Sequence, residues 1–352
     1  MKILHVLTST EVGGGPHAVL ALARGLLLQG DKIAVAGPEG PVADRFRQIG
    51  CEWFPVRADR LRSAAFRELT DVIRLTAPDV VVSHGKGAGL CARLVGPRLR
   101  VPVVHVMHGF HYESYGPIRH LYVALERRLA QRSAALIHVS SSQRAECQAL
   151  GIRSPHDAVV PNGIDPDAVG ELAPASGLPA GQILLGTVTR FDPIKRLPVL
   201  VEMLRHLPKH VRLQLVGYGP EVTRLWDLSG RLGVSDRLAT GFAWPASIRM
   251  QAFDVFVTAS AKEGCPLALL EAMALGLPCV ATNIPAHQEL LQAPGQLAGP
   301  TPERMAYQVG WLLRHEPEFW AHLGQQNAAR VRRDFTVGQM VEGHRRVYEE
   351  MA

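Results

Sequence analysis

The sequence predicts an α/β protein made of two Rossmann-like domains, each with a parallel sheet covered by helices on both sides. The chain has 352 residues, which is more than a single hydrophobic core usually supports. Short apolar runs alternate with amphipathic segments throughout the first half, as a doubly wound sheet requires. A second series of the same kind begins at Ile183.

Composition and charge restrict the class of protein. Hydrophobic residues make up 47% of the chain and charged residues 20%, as in soluble globular enzymes and unlike disordered chains. No apolar run reaches the length of a membrane span, and Met1 leads into a strand-like run without a secretory pattern. The five cysteines are scattered, without metal or redox spacing. We therefore expect a cytoplasmic protein.

The basic excess is concentrated in residues 1–170, which contain 20 Lys and Arg against 15 Asp and Glu. Two predicted helices, over 63–76 and 117–132, and their flanks carry many of these residues: Arg57, Arg60, Arg62, Arg67, Arg74, Arg119, Arg127, Arg128 and Arg132. Each helix could simply have a solvated face. The excess also fits peripheral contact with anionic lipid on the inner face of the cytoplasmic membrane. Nucleic acid is not an expected partner, because no basic and aromatic binding module is present.

Six apolar runs in the first half are predicted strands: Ile3–Leu7, Lys32–Ala36, Val80–Ser83, Val103–Met107, Ala135–Val139 and Ala158–Val160. The loop after the first strand contains Gly14 and Gly15 ahead of a predicted helix over 17–29. Glycines let backbone approach a ligand, and a helix N-terminus favours phosphate. A plain flexible loop is the alternative. The G-x-G-x-x-G spacing is missing, which argues against an NAD-dependent oxidoreductase.

His108 follows the fourth predicted strand, at the carboxyl edge where α/β sheets bind ligands. A purely structural role is the alternative, since the chain contains 15 histidines. The loop that follows contains His111, Tyr112 and Tyr115, which could contact a second substrate.

Arg190 and Lys195 lie where the first strand of the second half meets the next predicted helix. Arg190 is expected at the carboxyl end of the strand and Lys195 at the start of the helix. A lysine there opposes the helix dipole, and a bound diphosphate would offset this cost. An ordinary surface role for both residues is the alternative.

The stretch over 261–279 is the centre of the predicted site. It follows a buried strand-like run over 254–258 and continues into a predicted helix over 266–275, with Pro266 in the first turn. The amides of Gly264, Cys265 and Leu267 would then form an anion site at the helix N-terminus.

Glu263 and Glu271 frame this anion site at a spacing that suits polyol hydroxyls. Either acid alone could be an ordinary solvated residue. Glu271, however, has almost exclusively apolar neighbours in the sequence, so its carboxylate needs a partner.

A Glu, seven residues that include Gly-Cys-Pro, and a second Glu resemble the signature of the retaining GT-B glycosyltransferases of family 4 (glycosyl transferases group 1). The resemblance implies two Rossmann-like domains that face a cleft and use a nucleotide-sugar donor. It implies that Glu271 binds the ribose hydroxyls and that Glu263 lies near the anomeric carbon. Further implied catalytic residues are Arg190 and Lys195 at the diphosphate and His108 at the donor sugar.

The resemblance also extends to a Gly-Tyr-Gly-Pro turn, a Gly-Phe-Ala segment and a Pro-Asn-Gly hinge. The donor-binding residues that it implies besides Glu271 are Gly14, Gly15, Gly217, Gly241, Phe242, Gly264, Cys265, Pro266 and Leu267. The expected domains are an acceptor-side domain over 1–165, a nucleotide-sugar-binding domain over 166–335 and a C-terminal helix over 336–352 that returns to the first domain.

The predicted function is metal-independent, retaining transfer of a sugar, with a UDP-sugar as the expected donor. The expected acceptor is lipid-linked or a polysaccharide, in cell-envelope, exopolysaccharide or lipopolysaccharide synthesis. No cofactor or metal is expected, and the single D-x-D pattern, Asp165-Pro166-Asp167, is interpreted as a turn. A GT-B nucleotide-sugar epimerase and a catalytically inactive nucleotide-sugar-binding scaffold are the alternatives.

Overall fold

A computed structural model describes residues 1–58, 63–110, 112–170, 181–243, 245 and 247–352. Arg60, Arg62, His111 and residues 171–180 lie outside the described residues. Contacts divide the chain into two compact units. The first comprises 1–163 and 337–352, and the second comprises 164–336.

The described part of the first unit contains a seven-stranded parallel sheet in the order β3-β2-β1-β4-β5-β6-β7. Its strands are β1 Lys2–Leu7, β2 Lys32–Gly37, β3 Glu52–Pro55, β4 Val80–His84, β5 Val103–Met107, β6 Ala135–His138 and β7 His156–Val159. Between them lie α1 Gly14–Leu28, α2 Ala43–Gln48, α3 Ser63–Thr76, α4 Lys86–Val95, α5 Arg119–Ala130 and α6 Ser141–Ala149. All six predicted strands are present within two residues of their predicted ends.

β3 is the strand of the described first unit that the sequence analysis missed. It has four residues, ends in a proline and lies at an edge of the sheet. A proline is tolerated there because an edge strand has one side without ladder partners. The short apolar run Trp53-Phe54 therefore carried too little periodicity to be identified as a strand.

The described part of the second unit contains a six-stranded parallel sheet in the order β10-β9-β8-β11-β12-β13. Its strands are β8 Ile183–Val188, β9 Val211–Val216, β10 Leu238–Gly241, β11 Val255–Thr258, β12 Cys279–Thr282 and β13 Leu297–Ala298. Its helices are α7 Pro166–Gly170, α8 Leu197–Met203, α9 Val222–Leu232, α10 Ser247–Met250, α11 Leu267–Ala274, α12 Pro285–Leu290, α13 Pro302–Leu313 and α14 Pro317–Asp334. The predicted pair of Rossmann-like sheets is thus confirmed.

The last helix, α15 Val337–Met351, belongs to the first unit and packs against α1. A side chain at Gly25 would collide with Val341 of α15, so the glycine permits this close approach. Over the described parts of the chain, every helix is too short or too polar to span a bilayer.

The predicted turn over Asp165-Pro166-Asp167 is wrong, because α7 begins at Pro166. Asp165 Oδ1 accepts hydrogen bonds from the amides of Asp167 and Ala168, which is helix capping. The proline fits the first helical position, where its missing N–H is not needed. Asp167 in turn forms an ion pair with Arg332 at 2.7 Å.

Candidate functional site

Backbone hydrogen bonds connect the loops at the carboxyl edge of the second sheet. Phe191 N, after β8, donates to Tyr218 O, after β9, at 2.7 Å. Gly217 N donates to Gly241 O, at the end of β10, also at 2.7 Å. Gly217 has a φ of 148°, and a side chain there would collide with the carbonyl of Thr189. Glycine is therefore required for this packing.

Lys195 and Glu263 meet at this edge, although 68 residues separate them in the sequence. Lys195 Nζ lies 2.6 Å from Glu263 Oε1, with the two side chains 21% and 13% exposed. The loops that carry them follow β8 and β11, neighbouring strands from which the chain winds in opposite directions. Such a topological switch point opens a crevice where α/β sheets bind ligands. Ala261 N also donates to Ile194 O at 2.9 Å, which ties the two loops together.

Lys195 determines the ionisation of Glu263. Burial alone would raise the pKa of this carboxyl group, but the charge and the hydrogen bond of Lys195 outweigh burial. With smaller contributions from His287 and the Ser260 hydroxyl, they hold the pKa below its ordinary value. Glu263 is therefore a carboxylate at neutral pH.

The predicted start of a helix at Lys195 is wrong. Lys195 ends a 3₁₀ turn, Pro193–Lys195, and α8 begins at Leu197, after Arg196 in a left-handed conformation. A bound diphosphate was expected to neutralise the charge of Lys195. In this structure Glu263 does so, by accepting a hydrogen bond from Lys195 Nζ.

Arg190 lies two residues beyond the end of β8 and is exposed. Its guanidinium donates to Asp192 Oδ2, from Nε at 2.8 Å and also from Nη2. Among the described residues no ion pair connects it to the Lys195–Glu263 pair. Because the Arg190 side chain is exposed, its guanidinium can exchange the carboxylate of Asp192 for another anion.

Glu271 lies in α11 and is not bonded to the Lys195–Glu263 pair. Its carboxylate has no hydrogen-bond or ion-pair partner among the described residues, and burial raises its pKa to about 7. The prediction that this acid lacks a solvated environment is consistent with that shift. A half-buried carboxylate without a protein partner is suited to accept hydrogen bonds from a ligand.

The anion site predicted before α11 needs one correction. Pro266 has a ψ of 115° and stands at the N-cap, so the helix begins at Leu267, one residue later than predicted. Gly264 and Cys265 are buried immediately before it. The helix ends as predicted, with Gly276 at a φ of 72° beyond its last turn.

Gly241 and Phe242 lie at the carboxyl end of β10. Phe242 is 55% exposed, and its ring meets that of Tyr218, 38% exposed, edge to face at 5.7 Å between centroids. The sequence analysis selected Phe242 but not Tyr218, which adds a second aromatic ring at this sheet edge.

His287 is a further residue that the sequence analysis missed. It lies in α12 and is completely buried. Its Nδ1 lies 2.8 Å from Thr282 O. Burial lowers its pKa, while the charge of Glu263 acts in the opposite direction. Its position shortly after a strand at the carboxyl edge was the available signal.

In the first unit, α1 begins at Gly14, so Gly14 and Gly15 lie in the first helical turn and not in the preceding loop. The amides of a first turn have no intrahelical acceptor, so Pro16 is tolerated there. A side chain at Gly15 would meet no other atom within 4 Å, which leaves open space beside this turn. The turn follows β1, beside the switch point between β1 and β4.

His108 is half-buried directly after β5, and its Nε2 lies 2.9 Å from His84 Nδ1. Burial lowers its pKa to about 4, so the ring is neutral at pH 7. Tyr115 stacks on Tyr122 at 4.4 Å between ring centroids, and Lys86 Nζ lies 4.4 Å from the Tyr115 ring centroid. Tyr115 thus packs within its own unit.

No group of three or more His, Cys, Asp or Glu in the described ranges is arranged to hold a metal ion.

Two family models match the chain. The model of Glycosyltransferase Family 4 matches residues 12–168, and that of Glycosyl transferases group 1 matches residues 182–315. Among solved structures, Anabaena Alr3699/HepE in complex with UDP and glucose covers 99% of this chain and is itself fully covered, with a TM-score of 0.87. Its sequence identity is 20%, so this similarity establishes the fold alone, which is of the predicted GT-B class.

Two curated relatives extend the comparison. The putative glycosyltransferase EpsF of Bacillus subtilis is 35% identical over 308 residues, which are 80% of this chain and 79% of the relative. The UDP-Gal:alpha-D-GlcNAc-diphosphoundecaprenol alpha-1,3-galactosyltransferase of Escherichia coli is 29% identical over 228 residues, 58% of each protein. The chain therefore belongs to the glycosyltransferases, with a family 4 domain followed by a group 1 domain.

Proposed function

We propose that the protein transfers a sugar from a UDP-sugar to a lipid-linked or polysaccharide acceptor in cell-envelope or exopolysaccharide synthesis. The observation that carries this proposal is the Lys195–Glu263 pair at the switch point of the second sheet, beside the loop that leads into α11. The donor class and the acceptor class are supported by the names of the relatives. Those relatives are named as transferases, so an epimerase and an inactive scaffold are not favoured.

In this proposal the cations replace a metal ion. Lys195 and Arg190 bind the donor diphosphate, which gains negative charge as the glycosidic bond breaks. They consequently stabilise the transition state more than the ground state. Lys195 has three N–H donors, so it can bind a phosphate oxygen while it keeps Glu263. Amides at Gly264 and Cys265 complete the binding of the anion.

We propose retention of configuration through attack from the front face, by way of an oxocarbenium-like state. Glu263, held as a carboxylate by Lys195, orients sugar hydroxyls near the anomeric carbon and is not required as a covalent nucleophile. His108 contacts the donor sugar.

Glu271 is proposed to bind both ribose hydroxyls of the donor. Replacing Glu271 by Ala is expected to weaken donor binding on the order of 10- to 100-fold, since hydrogen bonds to a charged group are lost. Because the pKa of Glu271 is raised to about 7, the wild-type affinity is expected to increase between pH 6 and 8 as the carboxylate forms. Calorimetry with a panel of UDP-, GDP- and ADP-sugars in EDTA measures both effects.

The matched control is Glu202→Ala, in α8, which removes a helical acid from outside the site. It is expected to bind the donor like the wild type. Binding of one nucleotide class in EDTA, with slow release of free nucleotide, would support a metal-independent transferase and name the donor. Folded wild-type protein that binds no nucleotide sugar would refute the proposed function.

We further propose that the first unit contacts the cytoplasmic face of the membrane through α5. Ile118, Leu121 and Leu125 are 57%, 72% and 42% exposed, and their spacing of three and four residues places them on one face. Arg128 continues that stripe within α5, and Arg132 follows just beyond the end of the helix. An apolar stripe extended by arginines is suited to the interface of an anionic bilayer.

The variant Leu121→Gln/Leu125→Gln is expected to reduce sedimentation with phosphatidylglycerol vesicles several-fold, since each lost apolar side chain removes on the order of 1 kcal/mol. Leu28→Gln, which changes an 81% exposed leucine at the end of α1, is the control and should sediment like the wild type. Equal binding to phosphatidylcholine vesicles, or no loss in the double variant, would contradict this surface.

A further inference from the structure

A cavity of about 430 Å³ opens at the amino end of the second sheet, and its volume is within the range of ligand-binding pockets. One wall is the segment that leads into β9, and the other is a face of α13. β8 runs from this cavity, at Ile183, to the carboxyl edge, at Val188, and its six residues span on the order of 20 Å. The cavity is therefore separate from the proposed donor site. Its polar and aromatic lining includes His206, His210, Glu303, Tyr307 and Arg314.

The wall that leads into β9 is held in place by a buried arginine. Arg237 is 8% exposed. Its guanidinium donates to Leu204 O at 2.8 Å, to Val211 O and Pro208 O at 2.9 Å, and to Leu207 O at 3.3 Å. Burying a guanidinium is costly unless its N–H groups are bonded, so these bonds favour a single conformation of the wall. A preformed wall is typical of binding sites for small ligands.

The other wall presents an exposed aromatic ring beside a gap. Glu303, Tyr307, Gly310 and Arg314 follow one another on one face of α13 and its C-cap, at intervals of four, three and four residues. Tyr307 is 64% exposed, and over the described ranges its side chain has neither a ring contact nor a hydrogen bond. A Cβ at Gly310 would meet only Arg314 Nη1, at 3.9 Å. Space is therefore available for a ligand against the Tyr307 ring.

The polar groups of the cavity include both hydrogen-bond donors and acceptors. Arg314 supplies N–H donors alone. Glu303 supplies acceptors, because hydrogen bonds from its own amide and from the Thr301 hydroxyl hold its pKa below the ordinary value. From the opposite wall, His206 Nε2 lies 3.8 Å from Glu303 Oε1. His206 and His210 each offer one donor and one acceptor as neutral imidazoles. The cavity can thus bond hydroxyl groups in either direction.

This combination favours carbohydrate over other classes of ligand. A pyranose has an apolar C–H face that packs on an aromatic ring, and its hydroxyl groups both donate and accept hydrogen bonds. A phosphate would be repelled by the Glu303 carboxylate. An apolar peptide would bury charged groups without giving them partners. We propose that this cavity is a second sugar site, in which a pyranose unit of a neutral glycan packs on Tyr307 beside Gly310.

A glycan held in this cavity would remain near the enzyme between rounds of transfer, at a raised effective concentration. The length of β8 separates the cavity from the carboxyl edge, so only a chain of several sugar units could occupy both. That the bound glycan is the acceptor rests on the proposed function. The binding of a pyranose in the cavity does not.

Tyrosine signals can test the site directly, in the absence of any nucleotide sugar. The chain has six tyrosines, so ¹H–¹³C spectra of protein with ¹³C-labelled tyrosine rings are simple, and the Tyr307 signals are identified by their loss in Tyr307→Phe. Maltotriose, cellotriose and N-acetylchitotriose are the probes. At least one is expected to shift the Tyr307 signals, with a Kd on the order of 1 mM. No shift with any of the three, or a shift at lower concentrations of inorganic phosphate, would overturn the proposal.

The variant Gly310→Leu places a side chain in the gap beside Tyr307. It is expected to weaken binding of the trisaccharide at least tenfold. Gly230→Leu, in α9, is the matched control, because a Cβ there would meet only Ser235 Oγ, also at 3.9 Å. Both variants replace a glycine inside a helix by a better helix former, so both are expected to fold. Equal affinity in Gly310→Leu and the wild type, or the same loss in Gly230→Leu, would contradict the site.

Calorimetry with the UDP-sugar separates this inference from the proposed function. Gly310→Leu is expected to bind the donor like the wild type, because the cavity is at the other end of the sheet. If a trisaccharide shifts Tyr307 but no nucleotide sugar binds, the proposed function fails and the sugar site stands. If the donor binds but Tyr307 does not respond to any trisaccharide, the sugar site fails and the proposed function stands.

Discussion

Replacing Lys195 by Ala is expected to reduce kcat/KM on the order of 100- to 1,000-fold, the usual effect of removing one group that stabilises developing charge. Lys195 is half-buried at the switch point of the second sheet, 2.6 Å from Glu263. Its loss removes the charge that would stabilise the departing diphosphate. Steady-state release of UDP from the donor selected by the binding panel measures the effect.

The same substitution leaves Glu263 without the charge that holds down its pKa. Burial then dominates, so the pKa of Glu263 is expected to rise above its ordinary value in Lys195→Ala. Lys209→Ala, which removes an exposed lysine, is the control and should keep wild-type kcat/KM. Wild-type activity in folded Lys195→Ala would show that this lysine does not carry the leaving-group role.

Acid is expected to unfold the first unit well before carboxylates titrate. Burial lowers the pKa of four of its histidines: His5 and His344 to about 3, and His108 and His138 to about 4. In the unfolded chain each would titrate near the ordinary value of 6.5. Below that pH the unfolded state binds more protons, so stability is present above 6.5 and is lost as the pH falls.

At pH 5 each such histidine lowers the free energy of unfolding by about 2 kcal/mol relative to neutral pH. The four together therefore lower it by about 8 kcal/mol. This is comparable with the whole stability of a typical domain, 5–15 kcal/mol. Glu271 acts with the opposite sign, because its raised pKa favours the folded state as the pH falls below about 7. We therefore expect the second unit to resist mild acid better.

Urea unfolding followed by circular dichroism at pH 7, 6 and 5 measures this loss. His344→Phe removes one buried titrating ring and is expected to lessen the loss at pH 5 by about 2 kcal/mol. His156→Phe, at a histidine whose side chain is 56% exposed, should lose stability like the wild type. A wild-type unfolding free energy that is constant from pH 7 to 5 would contradict the burial of these rings as neutral groups.

The two Rossmann-like sheets could be predicted from the sequence because they depend on local patterns, whereas the glycosyltransferase class was implied only by the resemblance of the stretch from Glu263 to Glu271 to family 4. Apolar runs of four to six residues that alternate with amphipathic segments are typical of buried parallel strands. The carboxyl ends of such strands share one edge, so residues that follow them, such as Arg190 and His108, can be placed there without a structure. Gly276 likewise marks the end of α11 because a positive φ favours glycine.

The partners of the site residues could not be predicted, because they come from distant segments. The order of the strands brings the loops after β8 and β11 together, and only that order pairs Lys195 with Glu263. Strand register, which no local pattern specifies, places His5 beside His84 and His84 beside His108. His287 faces Glu263 for the same reason. The sequence by itself thus determined which residues lie at the sheet edges. The tertiary structure decided which of them form hydrogen bonds and ion pairs with one another.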